Sequence, residues 1–243
     1  MNINRQYFEN TLQFNKEKTD RILLMYNIAI SISNDNKNLI LKGGTALLFC
    51  YGLPRFSTDL DYDGIDYNFN INDNITNVFK NNNLELSSIN IKKDTDTVKR
   101  FMVHYKEAEN NPIKIEISFR NMDNENILDY KTNINGLNTY NINYLANNKI
   151  NTFLDRMAAR DIFDAAYLFK EYPSVIDKDL ILKCKNKLNS IGIDQLEKII
   201  KNDDILKDFD TDDILINFDK NINNLYNKNI NYTNTENCRS RTR

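Results

Sequence analysis

Apolar residues early in the chain, Phe8, Leu12, Ile22, Leu23, Tyr26, Ile28 and Ile30, recur at three- and four-residue spacing. This predicts helix from about Arg5 to Ser33, with a break near Lys16 to Thr19. A short apolar strand, Leu39 to Lys42, comes next, followed by a glycine turn, a helix to Tyr51, a loop around Pro54 and a strand from Thr58 to about Gly64. A polar helix near Ile71 to Asn82 precedes three β-patterned stretches, Leu84 to Ile91, Thr97 to Tyr105 and Ile113 to Phe119. In the last of these, Ile113, Ile115, Ile117 and Phe119 alternate with Lys114, Glu116 and Ser118, so one face is core and the other carries a lysine and a carboxylate. From Tyr144 onward the pattern is helical, with pieces at Tyr144 to Asp155, Ala158 to Lys170, Lys178 to Leu188 and Asp194 to Lys201. No internal repeat interrupts this order. The expectation is an α/β protein in which a mixed-sheet domain with a helical lead-in covers 1–140 and a helical domain covers 141–232, with a soft boundary near Leu137 to Asn143. The polar, aperiodic stretch 233–243, ending Cys238-Arg239-Ser240-Arg241-Thr242-Arg243, is expected to be disordered.

At 243 residues and 41% hydrophobic, the chain suffices for one large domain or two small ones. Its formal charge of −2 gives no global positive field, so a nucleic-acid partner would need a local basic patch. Lys92, Lys93, Lys99 and Arg100 make one such cluster, which reads equally as a solvated loop. Cys50, Cys184 and Cys238 share no metal-ligand spacing, and an odd, sparse set fits a reducing cytosol. The N-terminal residues lack a signal-peptide core, and no apolar run approaches the roughly 20 residues that cross a bilayer. A cytoplasmic protein without a membrane partner is expected. The frequent asparagines read as compositional drift without mechanistic weight.

The chemistry concentrates in two neighbouring runs, Leu41-Lys42-Gly43-Gly44-Thr45-Ala46-Leu47 and Arg55-Phe56-Ser57-Thr58-Asp59-Leu60-Asp61. A strand places Asp59 and Asp61 on one face and Leu60 and Tyr62 on the other, so the two carboxylates aim at a common divalent-metal position. Gly43 and Gly44 let a backbone approach an anion closely at the start of the helix that Thr45 continues. The string Asp59-x-Asp61-x-Asp63-Gly64 also matches the opening of a calcium loop. Its twelfth position is Asn70 rather than glutamate, and Leu60 and Tyr62 suit a buried strand better than such a loop. Solvated turn aspartates would leave the glycine pair unexplained. Glu116 is the natural third acid, and three acids around two metal ions suit phosphoryl transfer from a nucleoside triphosphate. On this reading Asp59 and Asp61 bridge the metals, while Glu116 helps bind the catalytic one and polarises the acceptor hydroxyl. Arg55 neutralises phosphate or pairs with a nearby aspartate. His104, the single histidine, has no nucleophile near it in sequence and reads as a partly exposed strand residue.

Taken with Tyr51-Gly52-Leu53, Ile113-Lys114-Ile115-Glu116-Ile117-Ser118 and Arg156 to Asp164, these runs resemble the AbiEii-type nucleotidyltransferase toxins of the polymerase β-like superfamily. The resemblance implies a toxin of an abortive-infection toxin–antitoxin system, related to MenT-type members that attach nucleotides to the 3′ end of tRNA. It matches Ser57 and Asp59 to the family's serine and first metal aspartate, Asp61 to the second, and Glu116 to a place where many members have aspartate. It also matches Lys149 to a distal lysine, and Arg160-Asp161-Ile162-Phe163-Asp164 to an Arg-Asp-x-x-Asp helix.

Were Asn148 to Phe169 one helix, Lys149, Arg156, Arg160 and Asp164 would share an arc of roughly 80° opposite Leu154, Ala158, Ile162, Ala165 and Phe169. That stripe either faces the triphosphate or is solvated. Asp161 falls among Ile150, Leu154 and Ala165, as a site residue or as a buried anchor.

Together these expectations describe a polymerase β-like nucleotidyltransferase domain followed by a helical domain that closes over the nucleotide. The reaction is transfer of NMP from an NTP, with a two-metal Mg2+ site, to an acceptor hydroxyl, the 3′ end of tRNA. A cognate antitoxin is the expected protein partner. The site set is Asp59, Asp61, Glu116 and Ser57, with Gly43, Gly44, Thr45, Arg55, Lys149, Arg160, Asp161 and Asp164 on the nucleotide. Transfer to a small-molecule or protein hydroxyl, and a non-catalytic nucleotide-binding protein, are the alternatives.

Overall fold

Among the described residues seven strands form one mixed sheet, β1 (Leu39–Lys42), β2 (Asp59–Gly64), β3 (Leu86–Thr95), β4 (Val98–Tyr105), β5 (Ile113–Ser118), β6 (Lys131–Ile134) and β7 (Leu137–Tyr140). Their order across the sheet is β3-β4-β5-β2-β1-β7-β6. The central β2 runs antiparallel to β1 and parallel to β5, and β1 runs parallel to β7. This computed structural model describes residues 3–207 and 209–240, with side chains through 228. By contacts the chain divides into two compact units, Met1–Asn141 and Ile142–Arg243.

In the first unit, α1 (Lys16–Asp35) begins where the Asn15 side chain accepts a hydrogen bond from the Lys18 amide at 2.9 Å, a regular N-cap. Ile22, Met25, Ile28, Ala29 and Ile32 are all fully buried, so this helix supplies much of the apolar cover for the unit. Its Arg21, 8% exposed, donates to the carbonyls of Asn111 at 2.5 Å and Pro112 at 3.0 Å, in the segment leading into β5. A single guanidinium thus ties α1 to the start of the strand that carries Glu116. The apolar α2 (Gly43–Tyr51) packs on β1 and β2 and ends at Gly52, whose φ of +78° is the left-handed conformation that stops a helix. The amphipathic α3 (Asn72–Asn81) packs against α1.

Three asparagines contradict the reading of that residue as drift. Asn36 and Asn74 are buried and bonded to each other at 2.9 Å, and Asn138 is buried and donates to the Ser33 carbonyl at 2.8 Å. Each satisfies backbone or side-chain groups that would otherwise be buried without partners.

The second unit is helical: α4 (Ile142–Arg156), α5 (Ala159–Glu171), α6 (Lys178–Ile191), α7 (Ile193–Lys201) and α8 (Thr211–Ser240). The helix α5 lies against α4, α7 and α8, with Phe218 of α8 meeting Phe153 and Phe169 at centroid separations of 5.6 and 5.5 Å. The two helical pieces expected at Tyr144 to Asp155 and Ala158 to Lys170 are present as α4 and α5, so the charged stripe drawn on one continuous helix from Asn148 to Phe169 does not form. Met157 takes a φ of +46° and Ala158 is extended, so α4 ends and α5 starts in a new direction. The expected tail, 233–243, lies outside the described side chains, and from 241 outside the described residues altogether. Among the described residues, no helix is long and apolar enough to cross a membrane.

Candidate functional site

The alternation read in β2 is realised by the sheet. Leu60 and Tyr62 are fully buried, while Asp59 and Asp61 lie on the other face. The continuous strand also rules out a calcium loop at these residues. Parallel pairing sets Asp59 opposite Lys114 and Asp61 opposite Glu116, and antiparallel pairing sets Asp61 opposite Lys42. Extended outward, the same row reads Lys93, Arg100, Glu116, Asp61 and Lys42 across five adjacent strands. Asp59, Asp61 and Glu116 therefore meet on one polar face of the sheet, interleaved with cations of that face.

Each acid is held differently. The Lys114 ammonium stands 2.7 Å from Asp59 Oδ2, and Arg100 donates to Glu116 Oε2 from Nε at 2.8 Å and from Nη2 at 2.6 Å. Among the described residues no side chain donates to the Asp61 carboxylate. Burial pushes that carboxyl above its ordinary range; Lys114 and Lys42 pull it down, while Asp59 and Glu116 push it further up. A carboxylate in this condition is stabilised by any cation that reaches it. The next acid of the strand, Asp63, is 1% exposed and fully engaged, by Lys42 Nζ at 2.5 Å, Asn121 Nδ2 at 3.1 Å and the Tyr140 hydroxyl at 3.0 Å.

Beside this row the chain enters α2. Gly43 has a φ of +74°, and a Cβ there would stand 3.2 Å from Asp61 Oδ2, so the turn lies directly against the acid. At Gly44 a Cβ would come within 2.5 Å of Arg55 Nη2, because the guanidinium packs against the bare backbone. Arg55 is 3% exposed and donates from Nη1 to the Phe56 carbonyl at 3.1 Å. Thr45 is buried, its hydroxyl 2.5 Å from Ser57 Oγ and donating to the Asp59 carbonyl at 2.5 Å. Thr45 and Ser57 thus fix the backbone at the first acid.

The residues expected in the second unit form a cluster within that unit. Asp161 and Asp164 are fully buried, and Lys149 Nζ lies between them at 2.9 and 2.8 Å. Arg156 donates to Asp161 from Nε at 2.6 Å and from Nη2 at 3.1 Å. Burial would raise the Asp161 carboxyl, yet the bonds from Arg156 and the charge of Lys149 outweigh it and hold the carboxyl below its usual value. Asp161 is therefore a partnered buried anchor. Arg160 stands apart from this cluster and pairs with Asp203 at 3.3 Å.

Reading the sequence placed Lys114 on the face of Glu116 but missed its pairing with Asp59, and missed Lys42, Asp63 and Arg100 as neighbours of the acids. The signal for Lys114 was its place one alternation before Glu116, and for Lys42 its place just before the glycine pair. His104 is half-buried in β4 opposite Ser88.

The donor set of Asp59, Asp61 and Glu116 consists of hard carboxylate oxygens, which suit Mg2+ or Mn2+. As they stand, no three such groups among the described residues are close enough together to hold an ion, with Asp59 on Lys114 and Glu116 on Arg100. That no side chain among the described residues donates to Asp61 is the observation that fits a cation here.

Solved structures with this fold include JHP933 from Helicobacter pylori, 27% identical over 93% of this chain and 99% of that one, with a TM-score of 0.78. A candidate nucleotidyltransferase from H. pylori is 28% identical over 88% of this chain and 97% of that one, with a TM-score of 0.75. MenT4, the nucleotidyltransferase toxin Rv2826c from Mycobacterium tuberculosis H37Rv, is 16% identical over 93% and 98% of the two chains at a TM-score of 0.48, too remote to carry an argument. No curated protein matches the chain. The family model of the nucleotidyl transferase AbiEii toxin of type IV toxin–antitoxin systems matches residues 23–228, which span every strand of the sheet and the acid row; the chain belongs to that family and is a nucleotidyltransferase.

Proposed function

We propose that the chain is the metal-dependent toxin of its toxin–antitoxin pair and transfers a nucleoside monophosphate from an NTP to the 3′-terminal hydroxyl of tRNA. The observation that carries this reading is the in-register row on which Asp61 lies between Glu116 and Lys42, with Asp59 one alternation away and Gly43 against its carboxylate. In the reaction the acceptor oxygen attacks the α-phosphorus, an O–P bond forms, the bond from that phosphorus to the bridging oxygen breaks, and pyrophosphate leaves. The hydroxyl proton passes to solvent.

Asp59, Asp61 and Glu116 are the residues that would hold Mg2+, which neutralises the triphosphate and stabilises the leaving pyrophosphate. The chain's own groups orient the reactants around it. The backbone of Gly43, Gly44 and Thr45 donates to phosphate oxygens at the start of α2, with Arg55 behind the turn as a fixed positive charge. Ser57 holds Thr45 and so the entry of β2. The second unit's Lys149, Arg160, Asp161 and Asp164 are expected on the nucleotide too; within that unit Lys149 is held by Asp161 and Asp164, and Arg160 pairs with Asp203.

The test is incubation of the purified protein with each α-labelled NTP, Mg2+ and total tRNA, beside Asp61→Ala. Label on the 3′ end of RNA with the wild type and not with the variant supports the proposal. RNA that gains no label from any NTP overturns the tRNA acceptor, and label on a protein or small molecule identifies the alternative, which the net charge of −2 favours.

A further inference from the structure

On the polar face of the sheet, cations stand beside each of the three acids. Lys114 neutralises Asp59, Arg100 neutralises Glu116, and Lys42, anchored on Asp63, lies in register beside Asp61. A free divalent ion entering this row finds little net negative charge to attract it and meets an ammonium already seated on Asp59. Repulsion between like charges at contact range is large in a partly buried site. A metal–triphosphate complex changes the balance, because its phosphates offer the displaced ammonium a new anionic partner.

Among the three cations, Lys114 is the one able to move. Arg100 is forked onto one Glu116 oxygen through two nitrogens, and Lys42 is fastened to the buried Asp63. Lys114 makes a single contact through a flexible stem, to an acid whose own side chain is 32% exposed where the partner of Lys42 is 1% exposed. Burial lowers the proton affinity of Lys114, but Asp59, Asp61 and Glu116 raise it further, so the group stays an ammonium at neutral pH.

We infer that Lys114 is a substrate-binding residue that occupies Asp59 in the free protein and passes to the triphosphate on binding, so that metal and nucleotide enter as one complex. The inference rests on the metal-dependent reading above. It makes the free protein a poor binder of bare metal and gives the sheet, and not only the glycine turn, a direct part in holding phosphate.

The experiment is titration of Mn2+ followed by loss of its free EPR signal, with and without a non-hydrolysable NTP analogue. The proteins are the wild type, Lys114→Met, Lys114→Gln, Asp61→Asn, and Lys99→Met as a control cation paired with Asp94. The wild type and Lys99→Met are expected to bind Mn2+ weakly alone and at least about tenfold more tightly with the analogue. Lys114→Met is expected to bind Mn2+ alone about tenfold more tightly than the wild type and to gain less from the analogue. If either Lys114 variant is folded by circular dichroism and binds bare Mn2+ no better than the wild type, the inference is overturned. Wild-type uptake with the analogue that is lost in Asp61→Asn keeps the metal-dependent reading standing in that case. Absence of uptake by every protein with the analogue removes that reading and the inference together.

Discussion

The guanidinium of Arg55 lies against the backbone of Gly44 so closely that a methyl group at Gly44 would stand 2.5 Å from Nη2. The second glycine of the turn is therefore required by a neighbouring side chain, in addition to any anion. Gly44→Ala should still fold, because the obstructing atoms are the end of a side chain, at a cost of about 1–3 kcal/mol. The displaced Arg55 should appear as weakened NTP binding, measurable by isothermal titration. Unchanged NTP affinity in folded Gly44→Ala would separate Arg55 from phosphate recognition.

Asp61 costs the fold stability. Its carboxyl is pushed up chiefly by burial, with Asp59 and Glu116 adding to the effect against Lys114 and Lys42, and among the described residues no side-chain hydrogen bond repays the ionised form. Asp61→Asn should therefore raise the melting temperature of the metal-free protein at pH 7 while abolishing transfer, an exchange of stability for function. A gain of about 1 kcal/mol corresponds to roughly 2–4 °C in a protein of this size. A melting temperature below that of the wild type would show that the carboxylate is stabilised by something other than the ions expected there.

The Asp161 cluster has the opposite sign. Its folded-state carboxyl is held low by Arg156 and Lys149 in spite of burial, so its contribution is complete above the ordinary aspartate range near pH 3.8 and is lost as pH falls below it. Asp161→Ala should destabilise the protein at neutral pH by about 3–5 kcal/mol, since it leaves Lys149 and Arg156 without a common acceptor. In urea melts followed by circular dichroism, the gap between the wild type and Asp161→Ala should narrow below pH 4. A gap that stays constant with pH would mean that the loss is one of packing.

Gly136 closes the hairpin between β6 and β7 with a φ of +88°, after Asn135 at +52°. A Cβ there would meet Ile30 Cδ1 at 3.3 Å. Gly136→Ala is expected to cost about 1–2 kcal/mol, most of it backbone strain, and to lower the melting temperature without changing the NTP affinity of the folded protein. A loss of affinity would tie this distant edge of the sheet to the acid row.

Much of the sheet face could be read from residue order, because β5 alternates Ile113, Ile115 and Ile117 with Lys114 and Glu116 and because Asp59 and Asp61 alternate with Leu60 and Tyr62. The β6–β7 hairpin was passed over as a boundary, although Asn135-Gly136 between two short strands is a strong local hairpin signal. Four-residue strands give too few alternations to stand out. The split between α4 and α5 is legible as two helical pieces, one ending at Asp155 and the next starting at Ala158, but the geometry of the turn between them is not. Met157 takes positive φ without being glycine, so nothing in its type announces the turn that brings Arg156 back onto Asp161. The cation partners of the acids depend on register between strands distant in sequence, and periodicity within one strand carries no register.

That register has a temporal side. Asp61 acquires Glu116 as its neighbour only when β5 has been made and laid parallel to β2, with α3 and the β3–β4 hairpin lying between them in the chain. A nascent polypeptide that has emerged only as far as β4 holds both aspartates and the glycine turn yet lacks the third acid. On the proposed role of Glu116, the site of this toxin-family enzyme is incomplete until synthesis has passed Ser118 and the parallel pair has closed.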